Sequence, residues 1–476
     1  MSIHWLDYAI IILYFFVVVY IGYWAMKKVT NFDDYAVAGR GLPMSIFFAA
    51  IAATLCGGGA TIGRVSFMHT TGIVVFAGLI GVVINQIFSG LYIAGRVHNI
   101  KNVYSVGDLF GLYYGRAGRL VSSIVCFFFC LGLYGVQILA MGAILQTAVG
   151  IDLIPAALIS SVITLAYTWS GGMLAVTMTD AVQYVIIIIG VSLCGYLAID
   201  HLGGFDAMMA TLNAMPRYEN NLKLFSGWGP IQFAGLFLSF LFGEFCAPYF
   251  IQRYASTKSA KDSKNGLLIF GVHWIFFMAT TAAIGLASMA IQPDVKPDLA
   301  FTNLIRDILP PGITGLVFGA LLAAVMSTGA AMINTSAVIY TRDIYNKFIN
   351  TAATQAQLLR QSRLSTLVVG GISIGVAIIF QDVFGLMIYM FKLWPSAILP
   401  PLMCGLLWGK ISPYAGAPAV IAGGLSFFLW SDKVLGEPFG IPANFIGIGM
   451  NCLVLFFVHQ KMKGHKPEGP FLPDLN

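Results

Sequence analysis

Charge is what this chain of 476 residues has least of: Asp, Glu, Lys and Arg together make up 10% of it, against 58% hydrophobic residues. A water-soluble domain of this length cannot cover itself with so little charge, so the composition excludes one and places the chain in lipid. Histidine is scarce as well. Neither His69 nor His273 has a partner at metal-ligand spacing, and the histidines are too scattered to serve a nucleophile as base, which excludes a membrane enzyme of either kind. The seven cysteines (Cys56, Cys126, Cys130, Cys194, Cys246, Cys404 and Cys452) all fall inside apolar runs with no C-x-x-C spacing. Neither a disulfide framework nor a thiolate metal site is indicated.

What is present is a succession of apolar runs, each of roughly the twenty residues that cross a bilayer. They cover 7–26, 44–68, 73–94, 120–148, 152–169, 180–199, 229–250, 266–291, 312–340, 364–381, 384–408, 413–430 and 440–458, thirteen crossings in all. The first contains Asp7 and is followed by no small-residue cleavage site, which marks a retained helix rather than a removed signal peptide. Short amphipathic pieces are expected at Val106–Tyr114 and in the outer loops. No globular linker interrupts the series, so the chain reads as one all-α transmembrane domain. The net charge of +6 lies in alternate loops. Lys27, Lys28, Arg40; Arg96, Lys101, Arg116, Arg119; Arg253, Lys258, Lys261, Lys264; Arg342, Lys347, Arg360, Arg363; Lys410; and the tail lysines Lys461, Lys463 and Lys466 all fall on one side of the membrane. The positive-inside rule then puts the N-terminus outside and the C-terminus in the cytoplasm of a multi-pass plasma-membrane protein, for which a bacterial inner membrane is expected.

Two crossings look interrupted. The second carries Gly57-Gly58-Gly59 midway, and the seventh carries Gly243-Glu244 with Pro248 four residues after the glutamate. Glycine lets the backbone leave the helix cheaply and proline removes a donor, so both places can expose carbonyls inside the membrane. The breaks stand five crossings apart, as an inverted repeat of five helices would space them, with the solute held between. Close packing through small residues is the competing reading.

A dehydrated monovalent cation needs several oxygen ligands without enough fixed charge to trap it. Carbonyls of Ala53 and Cys56 at the first break, the carbonyl of Ala324 and the hydroxyls of Ser327 and Thr328 would supply them. The alternative is that the two hydroxyls simply bond back to their own helix. Arg64, Asp180, Glu244 and Lys392 are ionisable groups in or near apolar zones, where each costs at least about 2.5–3.5 kcal/mol if left alone. Arg64 suits a solute carboxylate and Glu244 an ammonium group, so a zwitterionic amino acid would satisfy both. An internal Arg64–Glu244 or Lys392–Glu244 ion pair is the structural alternative. Asp180 reads either as an ion-coupling group or as a wetted residue at the cytoplasmic start of its crossing. Gly57, Gly58, Asn85, Gln86 and Gln137 are further candidates for the solute cavity, and bonds between helices would explain the three amides equally well.

Three stretches stand in order along the chain: Trp169-Ser170-Gly171-Gly172 through Asp180 to Gln183, then Gln252-Arg253-Tyr254, then Ala323-Ala324-Val325-Met326-Ser327-Thr328 with Asn334 and Arg342-Asp343-Ile344-Tyr345. Together they resemble the sodium/solute symporter family, whose members carry sugars, proline, sialic acid, pantothenate or choline with sodium. The resemblance covers nearly the whole chain. It implies a leucine-transporter-type five-plus-five inverted repeat: an extra N-terminal helix in 1–40, a first repeat in 41–200, a second in 229–408, and two C-terminal helices with a short tail in 411–476. It also implies a sodium site at Ala53, Cys56, Ala324, Ser327 and Thr328, and alternating access as the mechanism. Some members hold a second sodium through the aspartate matching Asp180 and a hydroxyl one turn past the first pair. Here that turn is Gly329-Ala330-Ala331, so one sodium per cycle is expected. The sugar carriers have aromatics where this chain has Gly243 and Glu244, and the proline carriers have an acid in the first broken helix that this chain lacks. The resulting expectation is sodium-driven import of an amino acid or small carboxylate. Proton coupling, a cationic amine, a neutral solute such as a sugar, and an ion channel are the alternatives, and the lipid bilayer is the only macromolecular partner inferred.

Overall fold

The protein is seen here as a computed structural model that describes residues 3–225, 228–379 and 383–463. The tail lysine Lys466 and the end of the 364–381 span lie outside them. The described residues form helices α1 (Trp5–Met26), α2 (Phe32–Val37), α3 (Met44–Leu55), α4 (Ile62–Thr71), α5 (Val74–Phe88), α6 (Ala94–Asn99), α7 (Val106–Val149), α8 (Leu153–His201), α9 (Phe205–Asn213), α10 (Pro230–Phe242), α11 (Pro248–Ser256), α12 (Ala260–Ile291), α13 (Ala300–Ile308), α14 (Ile313–Ile339), α15 (Gln355–Ile379), α16 (Val383–Ala397), α17 (Leu399–Met403), α18 (Gly416–Trp430) and α19 (Ala443–Lys461). Among the described residues nine helices are long and apolar enough to cross a membrane, or ten if the bent α16–α17 pair is one span.

The long membrane-crossing helices are largely apolar all round, as lipid requires. In α1, Asp7, Ile11, Tyr14, Val18, Gly22 and Ala25 recur every three or four residues and are buried, while Ile12, Leu13, Phe16, Val19 and Tyr20 face outward. At the other extreme stands α14, whose apolar window is 94% buried, which makes it the central post of the bundle. Its run of Gly, Ala, Ser and Thr lets α1, α3, α7 and α8 approach closely. Asp7 has a structural task there. One of its carboxylate oxygens accepts the N–H groups of Gly312 and Gly315, 2.7 Å each, and so satisfies donors that the start of α14 would otherwise leave bare.

Helix α8 corrects one boundary. The crossings 152–169 and 180–199 are joined without a loop, because Gly172 takes φ 52, ψ −141 and turns the chain on the spot. A Cβ there would lie 2.5 Å from the Tyr35 carbonyl. Residues 173–179 are therefore helical, and Asp180 sits two turns into its segment instead of at a wetted helix start. The seventh crossing also runs further than 229–250: it continues as α11 to Ser256, which takes Arg253 out of the loop and into the protein interior. Arg119 and Arg342, counted as loop cations, belong to a cluster with Asp108 and Asp343, with Arg119 2.7 Å from Asp108 and 2.9 Å from Asp343. The amphipathic piece at Val106–Tyr114 forms the first arm of α7, set off by a turn at Gly115.

Candidate cation and solute site

Both interruptions exist. Helix α3 stops at Leu55 and α4 starts at Ile62; α10 stops at Phe242 and α11 starts at Pro248. The first break needs glycine for room. A Cβ on Gly57 would fall 2.2 Å from the Thr328 hydroxyl oxygen, and one on Gly59 would meet Met387. Gln137, on α7, fastens the unwound turn by accepting the N–H of Gly58 at 2.7 Å. In the second break, Cys246 takes φ 54 and Pro248 opens α11, where its missing N–H costs nothing.

Ser327 and Thr328 face the first break. The Ser327 hydroxyl lies 2.9 Å from the Ala53 carbonyl and 2.8 Å from that of Ala324; the Thr328 hydroxyl lies 2.5 Å from the Thr54 carbonyl and 3.0 Å from that of Ala324. Five neutral oxygens from two helices thus converge in a buried place, which is the donor chemistry a desolvated sodium ion needs. The Thr54 carbonyl was not foreseen. Cys56, named for that role, caps the end of α3 and is fully buried, and among the described residues neither hydroxyl bonds to it.

Beside these oxygens lies a narrow cavity of about 50 Å³. Gly57, Arg64, Gln137, Glu244 and Thr328 line it, with Trp274 and Phe391 among its aromatic walls. Arg64 hydrogen-bonds Thr281 at 3.0 Å and lies over the Trp274 ring, 5.1 Å from its centroid. Glu244 accepts a hydrogen bond from the Tyr249 hydroxyl. Among the described residues no salt bridge joins Arg64 to Glu244.

Five other candidates lie elsewhere. Lys392 pairs with Glu437, 2.7 Å away in the loop after α18, and is not in the cavity wall. Gly58 turns toward Ala140 and Gln137 and is likewise outside the lining. Asn85 and Gln86 are buried past Val82, the last α5 residue to reach the cavity, with Asn85 bonded to Ser89. Asp180 is fully buried, 3.0 Å from Arg253. Trp274, Phe277 and Thr281, spaced three and four apart on α12, were missed; their shared face was visible in the sequence, its direction was not.

An all-helical bundle with two broken helices around an oxygen-lined cavity defines a membrane transporter of the leucine-transporter type. The structure agrees over 96% of this chain with a sodium-coupled sialic acid symporter solved in a substrate-bound outward-open state, at a TM-score of 0.80 and 19% identity, covering 98% of that chain. It agrees less closely with Mhp1, a nucleobase-cation-symport-1 transporter, at a TM-score of 0.62 and 13% identity over 93% of this chain and 96% of the other. In sequence, the osmoregulated proline transporter OpuE of Bacillus subtilis is 25% identical, with 90% of this chain and 89% of the relative covered. The sodium/proline symporter of Escherichia coli is 25% identical as well, over 88% and 86%. The profile of the sodium:solute symporter family matches residues 35–423, and the chain belongs to that family. It is a multi-pass, sodium-coupled symporter of a small polar solute and not an enzyme.

Proposed function

We propose that the chain imports a zwitterionic amino acid or a related small carboxylate together with one sodium ion. The observation that carries this is the placement of Arg64 and Glu244, one on each broken helix, in the wall of one cavity without an ion pair between them. A guanidinium receives the carboxylate and a carboxylate receives the ammonium group. The proline carriers among the relatives support an amino acid as cargo. Sodium would sit among the carbonyls of Ala53, Thr54 and Ala324 and the hydroxyls of Ser327 and Thr328, with Cys56 close by. Asp180 already has Arg253 as its counter-charge, which supports one sodium per cycle.

The topology proposed is thirteen crossings, counting the two arms of α8 separately and each broken pair as one, with the N-terminus outside and the C-terminus in the cytoplasm of a bacterial inner membrane. The repeats would occupy 41–200 and 229–408, each beginning with its broken helix, after the extra helix in 1–40 and before the closing pair in 411–476. In such a cycle sodium braces the first break against α14, solute closes the outer side, and a low-sodium cytoplasm releases both. The membrane potential contributes about 2.3 kcal/mol per charge per 100 mV.

A thermal-shift screen of the purified protein tests this, using amino acids, simple carboxylates, sugars and quaternary amines with and without sodium. Stabilisation by L-proline or another zwitterion in sodium alone is the expected outcome. Stabilisation by a sugar or a quaternary amine, with no zwitterion effective, contradicts it.

A further inference from the structure

Among the described residues Thr54 alone is bonded both to the cation-site helix and to a buried ion pair that the transport reading leaves without a task. Its carbonyl accepts the Thr328 hydroxyl at 2.5 Å. Its own hydroxyl faces the opposite way, 2.7 Å from Nη2 of Arg253 and 3.5 Å from Oδ2 of Asp180. The same Nη2 holds Asp180 at 3.0 Å. Arg253 and Asp180 are essentially unexposed, yet Asp180 Oδ1 and Arg253 Nε and Nη1 have no partner among the described residues. A buried ion pair with so few hydrogen bonds is held poorly for what its desolvation costs, and each neutral partner weighs heavily on its position. Thr54 is the only neutral one described. It stands on the last turn of α3, before the first break, while Arg253 lies on α11, after the second.

The geometry points to Thr54 as the residue that transmits occupancy of the cation site to the second broken helix. This rests on the sodium site proposed above. A cation drawing on the carbonyls at the end of α3 and on Thr328 fixes the Thr54 backbone, and with it the hydroxyl that holds Arg253. When the cation leaves, the Thr54 carbonyl is free to move off Thr328, its hydroxyl moves with it, and α11 loses an anchor in the first repeat. Thr54 is thus a positioning residue. Its side chain does not serve the ion; it ties the two breaks together.

Hydrogen–deuterium exchange of the full chain in sodium chloride against potassium chloride, at equal ionic strength, reads this without any solute. In the wild type sodium should slow exchange both around Ser327–Thr328 and along α11. Thr54→Val keeps shape and backbone but removes the hydroxyl. Compared with the wild type at sodium concentrations that saturate the α14 effect in each protein, it should lose about tenfold of the protection on α11, the weight of one hydrogen bond to a charged group. Thr54→Ser should restore it. If Thr54→Val does not fold, Thr54→Ala reads the same loss. Undiminished sodium protection of α11 in the hydroxyl-free variant overturns the coupling while leaving the sodium site intact. Absence of any sodium protection on α14 in the wild type overturns the site and the coupling together.

Discussion

Ser327 and Thr328 each bond to Ala324, three and four residues back, as hydroxyls in membrane helices commonly do. That is the bland reading of the pair, and it is correct as far as it goes. What it leaves out is the second partner of each, a carbonyl of α3 from the first broken helix. Removing both hydroxyls takes away two oxygens at about 1.5–3 kcal/mol each. Ser327→Ala with Thr328→Ala should therefore weaken the sodium concentration dependence of transport by at least roughly a hundredfold, measured as the half-saturating sodium concentration. An unchanged value would mean that the cation binds elsewhere. Glu244→Gln keeps the shape and removes the charge, so it should weaken ammonium-bearing solutes by about tenfold or more and spare simple carboxylates. Equal losses for both classes would make Glu244 a packing residue. At this scale the hydroxyl pair and Glu244 were legible because each interrupts an apolar run. Arg253 and Lys392 were not, because their partners, Asp180 and Glu437, lie far away in sequence. Nor was Thr54, whose carbonyl is chosen by the angle at which α3 meets α14.

At the scale of the element, three glycines in a row and a proline after a glycine announced two broken helices, and both breaks fall on those residues. The physical reason is strong enough to read without a fold, since Gly57 must let Thr328 within reach of the backbone. Gly57→Ala should cost about 1–3 kcal/mol through that clash, and sodium should give the variant less thermal stabilisation than the wild type. An unaltered sodium-induced melting shift would show that the break tolerates a side chain. Gly172 fell between the spans 152–169 and 180–199 and was assigned to neither. Its positive φ instead joins two helices directly, and this changed the environment assigned to Asp180. Gly172→Ala should destabilise the protein by about 1–3 kcal/mol, visible as a lower melting temperature. The end of α11 was misread too: hydropathy falls at Gln252-Arg253, whereas the helix continues because Arg253 finds Asp180.

The whole molecule was the most legible level. Scarce charge and repeated apolar runs define a membrane bundle, and the spacing of the two breaks agrees with the leucine-transporter-type fold that the solved relatives share. Loop charge was a coarser guide, since Arg119, Arg253 and Arg342 counted toward it although all three are engaged in ion pairs. The orientation is checked by labelling of tags on intact cells: an N-terminal tag should react with an impermeant reagent and a C-terminal one should not. The most direct test of sodium coupling at this site is uptake into proteoliposomes of the radiolabelled solute that stabilises the protein most in the thermal-shift screen. An inward sodium gradient should drive accumulation above equilibrium in the wild type, and the Ser327→Ala, Thr328→Ala variant should no longer respond to that gradient. Accumulation driven equally well by a pH gradient without sodium, and unaffected by the double substitution, would contradict the account.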